Sequence, residues 1–181
     1  MSEDVIGSIT KKLFEREPRL SGVRHAAVAM IIADENDPKI LLIRRAERAG
    51  DPWSGQVALP GGKSQPGDAG LKGTAVRETS EEVGINLQES AEFIGYGEPV
   101  TTHTGTVEVV PCVFLMKSES VVRPNEEVAS HMWVSVRRLS SPNARIVSKI
   151  GAEKGDSERP AILISDYVVW GLTYRIITSL L

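Results

Sequence analysis

GGKSQPGDAGLKGTAVRETSEEVGI, residues 61–85, opens on paired glycines, runs through a loop rich in glycine and proline, and then crowds Glu78, Glu81 and Glu82 ahead of Gly84. At about 100° per residue these carboxylates fall within roughly a quarter to a third of a helix circumference. Leu71, Ala75, Thr79 and Val83 form the neighbouring stripe. The spacing predicts a helix over residues 69–83 packed on a sheet, with the acids on its flank. Asp68 stands where an N-cap belongs and Gly84 where a left-handed stop belongs. Like charges so placed repel by about 0.2–0.5 kcal/mol per pair in water. A solvated acidic face, moderated by Lys72 and Arg77, is one reading of the helix alone. A set of oxygen ligands for a hard divalent cation is the other. The loop upstream favours the second, because Gly61 and Gly62 let a phosphate or metal approach the main chain. An arriving cation relieves the repulsion, and the uncompensated charge supplies the affinity.

Working outward, VRHAAVAMIIAD (23–34) is rich in small and β-branched residues and reads as a buried strand, with KILLIRR (39–45) as its partner across an ENDP turn. AERAGDPWSG (46–55) reads as a loop, and QVALPGG (56–62) as a short strand entering the glycine loop. AEFIGYGEPV and TVEVVPCVFLMK predict two strands around TTHTG, and HMWVSV another after the polar loop RPNEEVAS. The N-terminal segment carries apolar residues at helical spacing, Val5, Ile6, Ile9, Leu13 and Phe14, which predicts a helix within residues 1–20 ended by Pro18. RRLSSPNARIVSKIGAEKGDSERP (137–160) is polar and shows no clear period. AILI predicts a short strand, and YVVWGLTYRIITSLL a closing helix over 166–181. This order mixes strands and helices throughout, so the expected class is α/β or α+β, a single domain over residues 1–181.

The 181 residues are 41% hydrophobic and 25% charged, with a formal net charge of −3, which argues against a general nucleic-acid binder. The one cysteine, Cys112, excludes an internal disulfide and is read as a buried small hydrophobe. MSEDV begins acidic with no apolar signal core behind it, and the longest purely apolar run, AAVAMIIA, is too short to span a bilayer. These features lead to an expectation of a soluble, cytoplasmic protein with no membrane partner. Apolar surface on the first or last helix leaves a homodimer open.

Residues 62–85 resemble the Nudix box: a glycine, a spaced acid, then Arg-Glu-any-any-Glu-Glu-any-Gly-aliphatic. Arg77, Glu78, Glu81, Glu82, Gly84 and Ile85 match its core one for one. The upstream acid departs from the pattern, being Asp68 rather than glutamate and one residue further away, and Thr79 occupies an aliphatic position. The resemblance implies the Nudix fold, a mixed β-sheet sandwiched between α-helices. It also implies hydrolysis of a nucleoside diphosphate linked to another group, with Mg²⁺ or Mn²⁺ as cofactor and Glu78, Glu81 and Glu82 as the metal-holding catalytic residues. LLIRRAERAGDPWSGQVALPGG is similar to the segment before the box in coenzyme A pyrophosphatase-like members, with Arg45 matching their arginine and a longer Gly50–Ser54 stretch. VVWGLTYRII is similar to them as well.

On this basis Gly61, Gly62, Arg45 and Lys63 are the expected contacts to a small nucleotide substrate, and Arg77 a support that orients a glutamate. Strand alternation sends Arg44 and Arg45 to opposite faces, so only one enters the site. The general base stays open between a box glutamate and Glu126 or Glu127. His103 and Trp53 stay open between ligand contacts and loop packing, and His25 and His131 read as strand-edge residues. The favoured substrate is coenzyme A or its thioesters. A broad nucleotide diphosphatase, acting on ADP-ribose, dinucleotides or oxidised nucleoside triphosphates, and a non-catalytic nucleotide sensor remain the alternatives.

Overall fold

The computed structural model describes residues 2–21, 24–51, 53–152 and 155–181; Met1, Val23 and Pro52, which belong to the expected first helix, first strand and 50–54 stretch, lie outside them. The chain runs α1 (Ser2–Thr10), β1 (Arg24–Ala33), β2 (Lys39–Arg45), β3 (Val57–Ala58), β4 (Gly61–Lys63), α2 (Gly70–Val83), α3 (Leu87–Ser90), β5 (Glu92–Tyr96), β6 (Val100–Thr101) and β7 (Val107–Met116). It continues through β8 (Val128–Ser135), α4 (Val136–Ser140), a 3₁₀ turn at Pro142–Ala144, β9 (Arg145–Ala152), β10 (Gly155–Ile164), β11 (Tyr167–Trp170) and α5 (Gly171–Leu180).

The main sheet has the order β3-β2-β1-β7-β5, with β4 also paired to β1, β6 to β7 and β8 to β2. β1 and β7 lie parallel from Arg24↔Val107 to Ala33↔Met116, while β2, β4 and β5 pair antiparallel to their neighbours. A strand covered on both faces reads as an unbroken apolar run, and β1 is buried from Ala26 to Ala33. Its residues divide by strand alternation. Ala27, Ala29 and Ile31 face α2, packing with Leu71, Ala75 and Val83. Val28, Met30 and Ile32 face the opposite layer, packing with Ile9, Ile162, Val169, Ile176 and Ile177. The mixed sheet is thus enclosed by α2 on one side and by α1, α5 and a three-stranded sheet, β11-β10-β9, on the other. Cys112 is fully buried in the α2-side core, as its apolar surroundings predict. Among the described residues no helix is long and apolar enough to cross a membrane.

The chain departs from its sequence reading in several places, among them β8, which begins at Val128 inside the expected loop RPNEEVAS. The first helix stops at Thr10, well before Pro18, because Phe14 exchanges backbone hydrogen bonds with Tyr96 at 2.8 and 2.9 Å. That contact uses Gly95, where a Cβ would stand 2.9 Å from the Leu13 Cβ. The last helix spans Gly171–Leu180, not 166–181, because Tyr167–Trp170 pair with Ala161–Ile164 instead. The polar stretch 137–160, of which Glu153 and Lys154 lie outside the described residues, forms α4, the 3₁₀ turn and strands β9 and β10, and the buried residues of these elements, among them Leu139, Ala144 and Ala161, are widely spaced in sequence.

Candidate active site

α2 is held at both ends. Gly84 closes it at φ +69, and its N–H donates to the Ser80 carbonyl at 3.1 Å. At the other end the expected Asp68 cap is not made. The helix starts one residue late, Ala69 occupies the cap position without a side-chain bond, and Glu17 from the N-terminal segment accepts the Leu71 N–H at 2.8 Å. Asp68 instead folds back over the first turn, accepting from Thr74 Oγ1 at 2.8 Å, Gln65 N at 3.0 Å and Arg77 Nε at 2.8 Å. The Arg77 guanidinium, outweighing burial, holds the Asp68 carboxyl well below the usual carboxylate range.

Arg77 is the hub of this flank. Besides Asp68 it reaches Glu78 Oε1 at 2.9 Å, Glu81 Oε2 at 3.1 Å and the Lys63 carbonyl at 3.0 Å. Lys63 therefore contributes its main chain here, while its side chain is exposed. One guanidinium thus offsets the like-charge crowding of the helix and fixes β4 to it.

The three glutamates differ sharply in environment. Glu82 is 2% exposed, whereas the Glu78 and Glu81 side chains are 16% and 54% exposed. Glu82 Oε2 accepts the Gly61 N–H at 2.8 Å. Burial, reinforced by the neighbouring Glu78 charge, pushes the Glu82 carboxyl up to about 7 despite that hydrogen bond. Burial also raises Glu78, against the pull of Arg77. Gly61 has φ +151, and a Cβ there would sit 2.3 Å from the Ala27 carbonyl oxygen. At Gly62 a Cβ would stand 2.5 Å from the Glu78 carboxylate. Gly62 therefore leaves the space in which Glu78 lies, Gly61 lets β4 close against the β1 main chain, and the Gly61 N–H holds Glu82.

Two loops close the remaining sides. Arg123 N and Asn125 N donate to the Val83 and Glu82 carbonyls at 2.8 and 2.9 Å, which fastens the 123–127 loop to the end of α2. Glu127 is close enough for its charge to raise both Glu78 and Glu82, and Arg48 Nη1 contacts its carboxylate at 3.3 Å. Glu126 points outward, its side chain 89% exposed. Arg44 and Arg45 separate as alternation predicts. Arg44 bonds Glu47 at 2.8 Å, whereas Arg45 turns inward, bonding Asp51 at 2.9 Å and approaching Glu82 to 3.9 Å. Trp53 is exposed, its N–H donating to Asp51 at 3.0 Å. His103 lies exposed in the β6–β7 turn and His131 exposed on β8, and no hydrogen bond or ion pair joins either to the carboxylates among the described residues.

Sequence reading passed over Asp51 and Glu17. The Asp-Pro pair at 51–52 signals a turn, but nothing local reveals that the Asp51 carboxylate meets Arg45. Glu17 contacts a residue far along the chain and leaves no periodic trace.

Glu78 and Glu82 together offer hard oxygen donors in a partly desolvated setting, the chemistry a divalent cation selects. Among the described residues no three acidic, imidazole or thiolate groups already converge at ligating distance, because Arg77 spans Glu78 and Glu81. The donor set and the glycine-made space fit such a cation, with Glu81 as the exposed third carboxylate.

The chain matches the NUDIX domain family over residues 23–151. It is 33% identical over 158 residues to a protein named uncharacterized Nudix hydrolase NudL from Citrobacter koseri, covering 87% of this chain and 81% of the relative. The protein of the same name from Yersinia enterocolitica is 38% identical over 109 residues, 60% of this chain and 54% of the relative, so the match spans about half of that relative's length. Among solved structures, a MutT/nudix family protein from Enterococcus faecalis superposes with a TM-score of 0.56 at 19% identity, over 91% of this chain and 63% of that one, a likeness of fold. The chain belongs to the Nudix family. It is a hydrolase of that family, the class that cuts pyrophosphate bonds.

Proposed function

We propose that this hydrolase cleaves the diphosphate of coenzyme A or its thioesters, giving a phosphopantetheine product and 3′,5′-ADP, with Glu78, Glu81 and Glu82 holding Mg²⁺ or Mn²⁺. The observation that carries the cation-dependent reading is the pairing of buried Glu82, held by the Gly61 N–H, with Glu78 in the space left by Gly62. Two carboxylates raised together, one to about 7, are poorly solvated in the bare protein and gain from a cation. A bound divalent cation neutralises phosphate oxygens and acidifies water at the diphosphate.

The residues around the pair each have a part. Arg77, anchored on Asp68, orients Glu78 and Glu81. Gly62 keeps a side chain out of the space beside the Glu78 carboxylate, where a diphosphate would approach. Arg45 supplies a positive edge beside Glu82 for a phosphate oxygen. Glu127, braced by Arg48 at the rim, is the loop carboxylate favoured over Glu126 as proton acceptor, because its charge reaches both Glu78 and Glu82 whereas Glu126 points outward.

The coenzyme A assignment rests on the likeness of residues 41–62 to the coenzyme A pyrophosphatase-like subgroup. Turnover of coenzyme A, ADP-ribose, dinucleotides and oxidised nucleoside triphosphates with Mg²⁺ and with Mn²⁺, with products identified by mass spectrometry, tests it. Fastest cleavage of coenzyme A supports the assignment, and equal or faster cleavage of ADP-ribose overturns it in favour of a broad diphosphatase.

A further inference from the structure

Arg45 is built into the site with a donor to spare. Strand alternation parts Arg45 from Arg44, and the β2–β8 register slips between them. The Arg45 amide is fixed to the Gln56 carbonyl at 3.0 Å. Its Nη2 donates to Asp51 Oδ2 at 2.9 Å, its Nη1 stands 3.9 Å from Glu82 Oε1, and its Nε is shielded from solvent without a protein acceptor. Leaving a guanidinium N–H unsatisfied is costly unless an acceptor arrives.

Asp51 is itself fixed from several directions. Its Oδ1 accepts the Trp53 N–H at 3.0 Å, its amide donates to the Arg48 carbonyl at 3.2 Å, and its own carbonyl accepts the Ser54 N–H at 3.1 Å. Its side chain is 17% exposed. Burial works against its charge, but the Trp53 N–H and Arg45 prevail and hold the Asp51 carboxyl below its ordinary value. Asp51 thus remains an anion at the pivot of the 46–56 loop.

The guanidinium stands between two carboxylates and bonds only one of them. A guanidinium seated on Glu82 would occupy the oxygens that a divalent cation needs, and would spend its fork on the protein rather than on a phosphate. We infer that Asp51 is a positioning residue that holds the Arg45 guanidinium off Glu82, leaving Glu82 available to a cation and Arg45, whose side chain is 26% exposed, available to a diphosphate oxygen. The inference rests on the cation-dependent reading above, and it assigns the 50–54 stretch a part in that reading.

Mn²⁺ titration of the substrate-free protein by electron paramagnetic resonance, together with KM and kcat on the best diphosphate substrate, tests it. In Asp51→Asn, Arg45 falls onto Glu82, so Mn²⁺ binding weakens about tenfold and KM rises about tenfold, the worth of one charge-assisted hydrogen bond, while kcat at saturating metal and substrate changes far less. Arg45→Gln/Asp51→Asn removes the competing guanidinium, so Mn²⁺ binding returns to within about twofold of wild type and KM stays high. Arg45→Gln alone, which tests the idea even if Asp51→Asn does not fold, keeps wild-type Mn²⁺ affinity and raises KM. Wild-type Mn²⁺ affinity and KM in Asp51→Asn, equal weakening in the single and double variants, or loss of Mn²⁺ affinity in Arg45→Gln would each overturn the inference. Failure of the wild type to bind Mn²⁺ or cleave any diphosphate overturns the underlying reading as well, and is seen before any variant is compared.

Discussion

Replacing Glu82 with glutamine stabilises the cation-free protein, and does so only as the pH rises. In the unfolded chain this carboxyl ionises at its ordinary 4.5, and in the folded chain only near 7. Below 4.5 both states hold the proton and the burial of Glu82 carries no ionisation cost. Between these values the unfolded chain releases its proton and the folded chain does not, so stability falls as pH rises, and above 7 the loss is complete. At about 1.4 kcal/mol per pH unit the interval amounts to about 3 kcal/mol. Glutamine carries no charge and retains a carbonyl oxygen for the Gly61 N–H that Glu82 accepts at 2.8 Å. Glu82→Gln therefore gains about 3 kcal/mol over wild type at pH 8 and less than about 1 kcal/mol at pH 5. Thermal or urea unfolding in a chelator at the two pH values measures this, as a melting-temperature rise of about 6–12 °C at pH 8 for a chain of this size. Mn²⁺ at about a thousandfold excess over its dissociation constant reverses the order, because wild type then gains about 4.1 kcal/mol and the variant does not. Turnover falls by about 10²-fold or more, since a ligand to the catalytic cation is gone. A variant no more stable than wild type at pH 8, or one with the same advantage at both pH values, refutes the reasoning.

Gly62→Ala displaces Glu78, whose carboxylate a Cβ would meet at 2.5 Å, and should cut Mn²⁺ affinity by about tenfold or more while far-ultraviolet circular dichroism stays unchanged. Glu127→Gln lowers kcat by about 10²-fold with little change in Mn²⁺ binding, and Glu126→Gln leaves kcat within about twofold; equal effects in steady-state assays would remove Glu127 from its proposed place as proton acceptor. Gly84→Ala forces a side chain into φ +69 against the Arg123 backbone, and denaturant titration should show a loss of about 1–3 kcal/mol.

How far the sequence reveals this arrangement depends on the range of the interaction. The α2 helix was legible because its evidence is local: Leu71, Ala75, Thr79 and Val83 repeat at helical spacing and Gly84 supplies the left-handed stop. β1 and β7 were legible because a strand buried on both faces must be apolar along its length. The β9–β10 hairpin escaped because polar Ser148, Lys149, Glu158 and Arg159 interrupt any apolar alternation while apolar Val147 is exposed, and its register is set by partners across the sheet rather than by neighbours in the chain. Within the candidate site, the glutamates and glycines share one continuous segment. Asp51 meets Arg45 across a folded loop, and Glu17 caps α2 from more than fifty residues away, so spacing alone cannot find them. Asp68 shows the limit of a local rule: it is one residue out of register for capping and serves Arg77 instead.

The central claim is that Glu78 and Glu82 hold a divalent cation against the Gly61–Gly62 main chain. Anomalous diffraction at the manganese edge, from crystals grown with Mn²⁺, tests it most directly. The account predicts a manganese peak within ligating distance of both carboxylates, lost in Glu78→Gln/Glu82→Gln. Manganese bound elsewhere, or a peak that persists in the double variant, would contradict it.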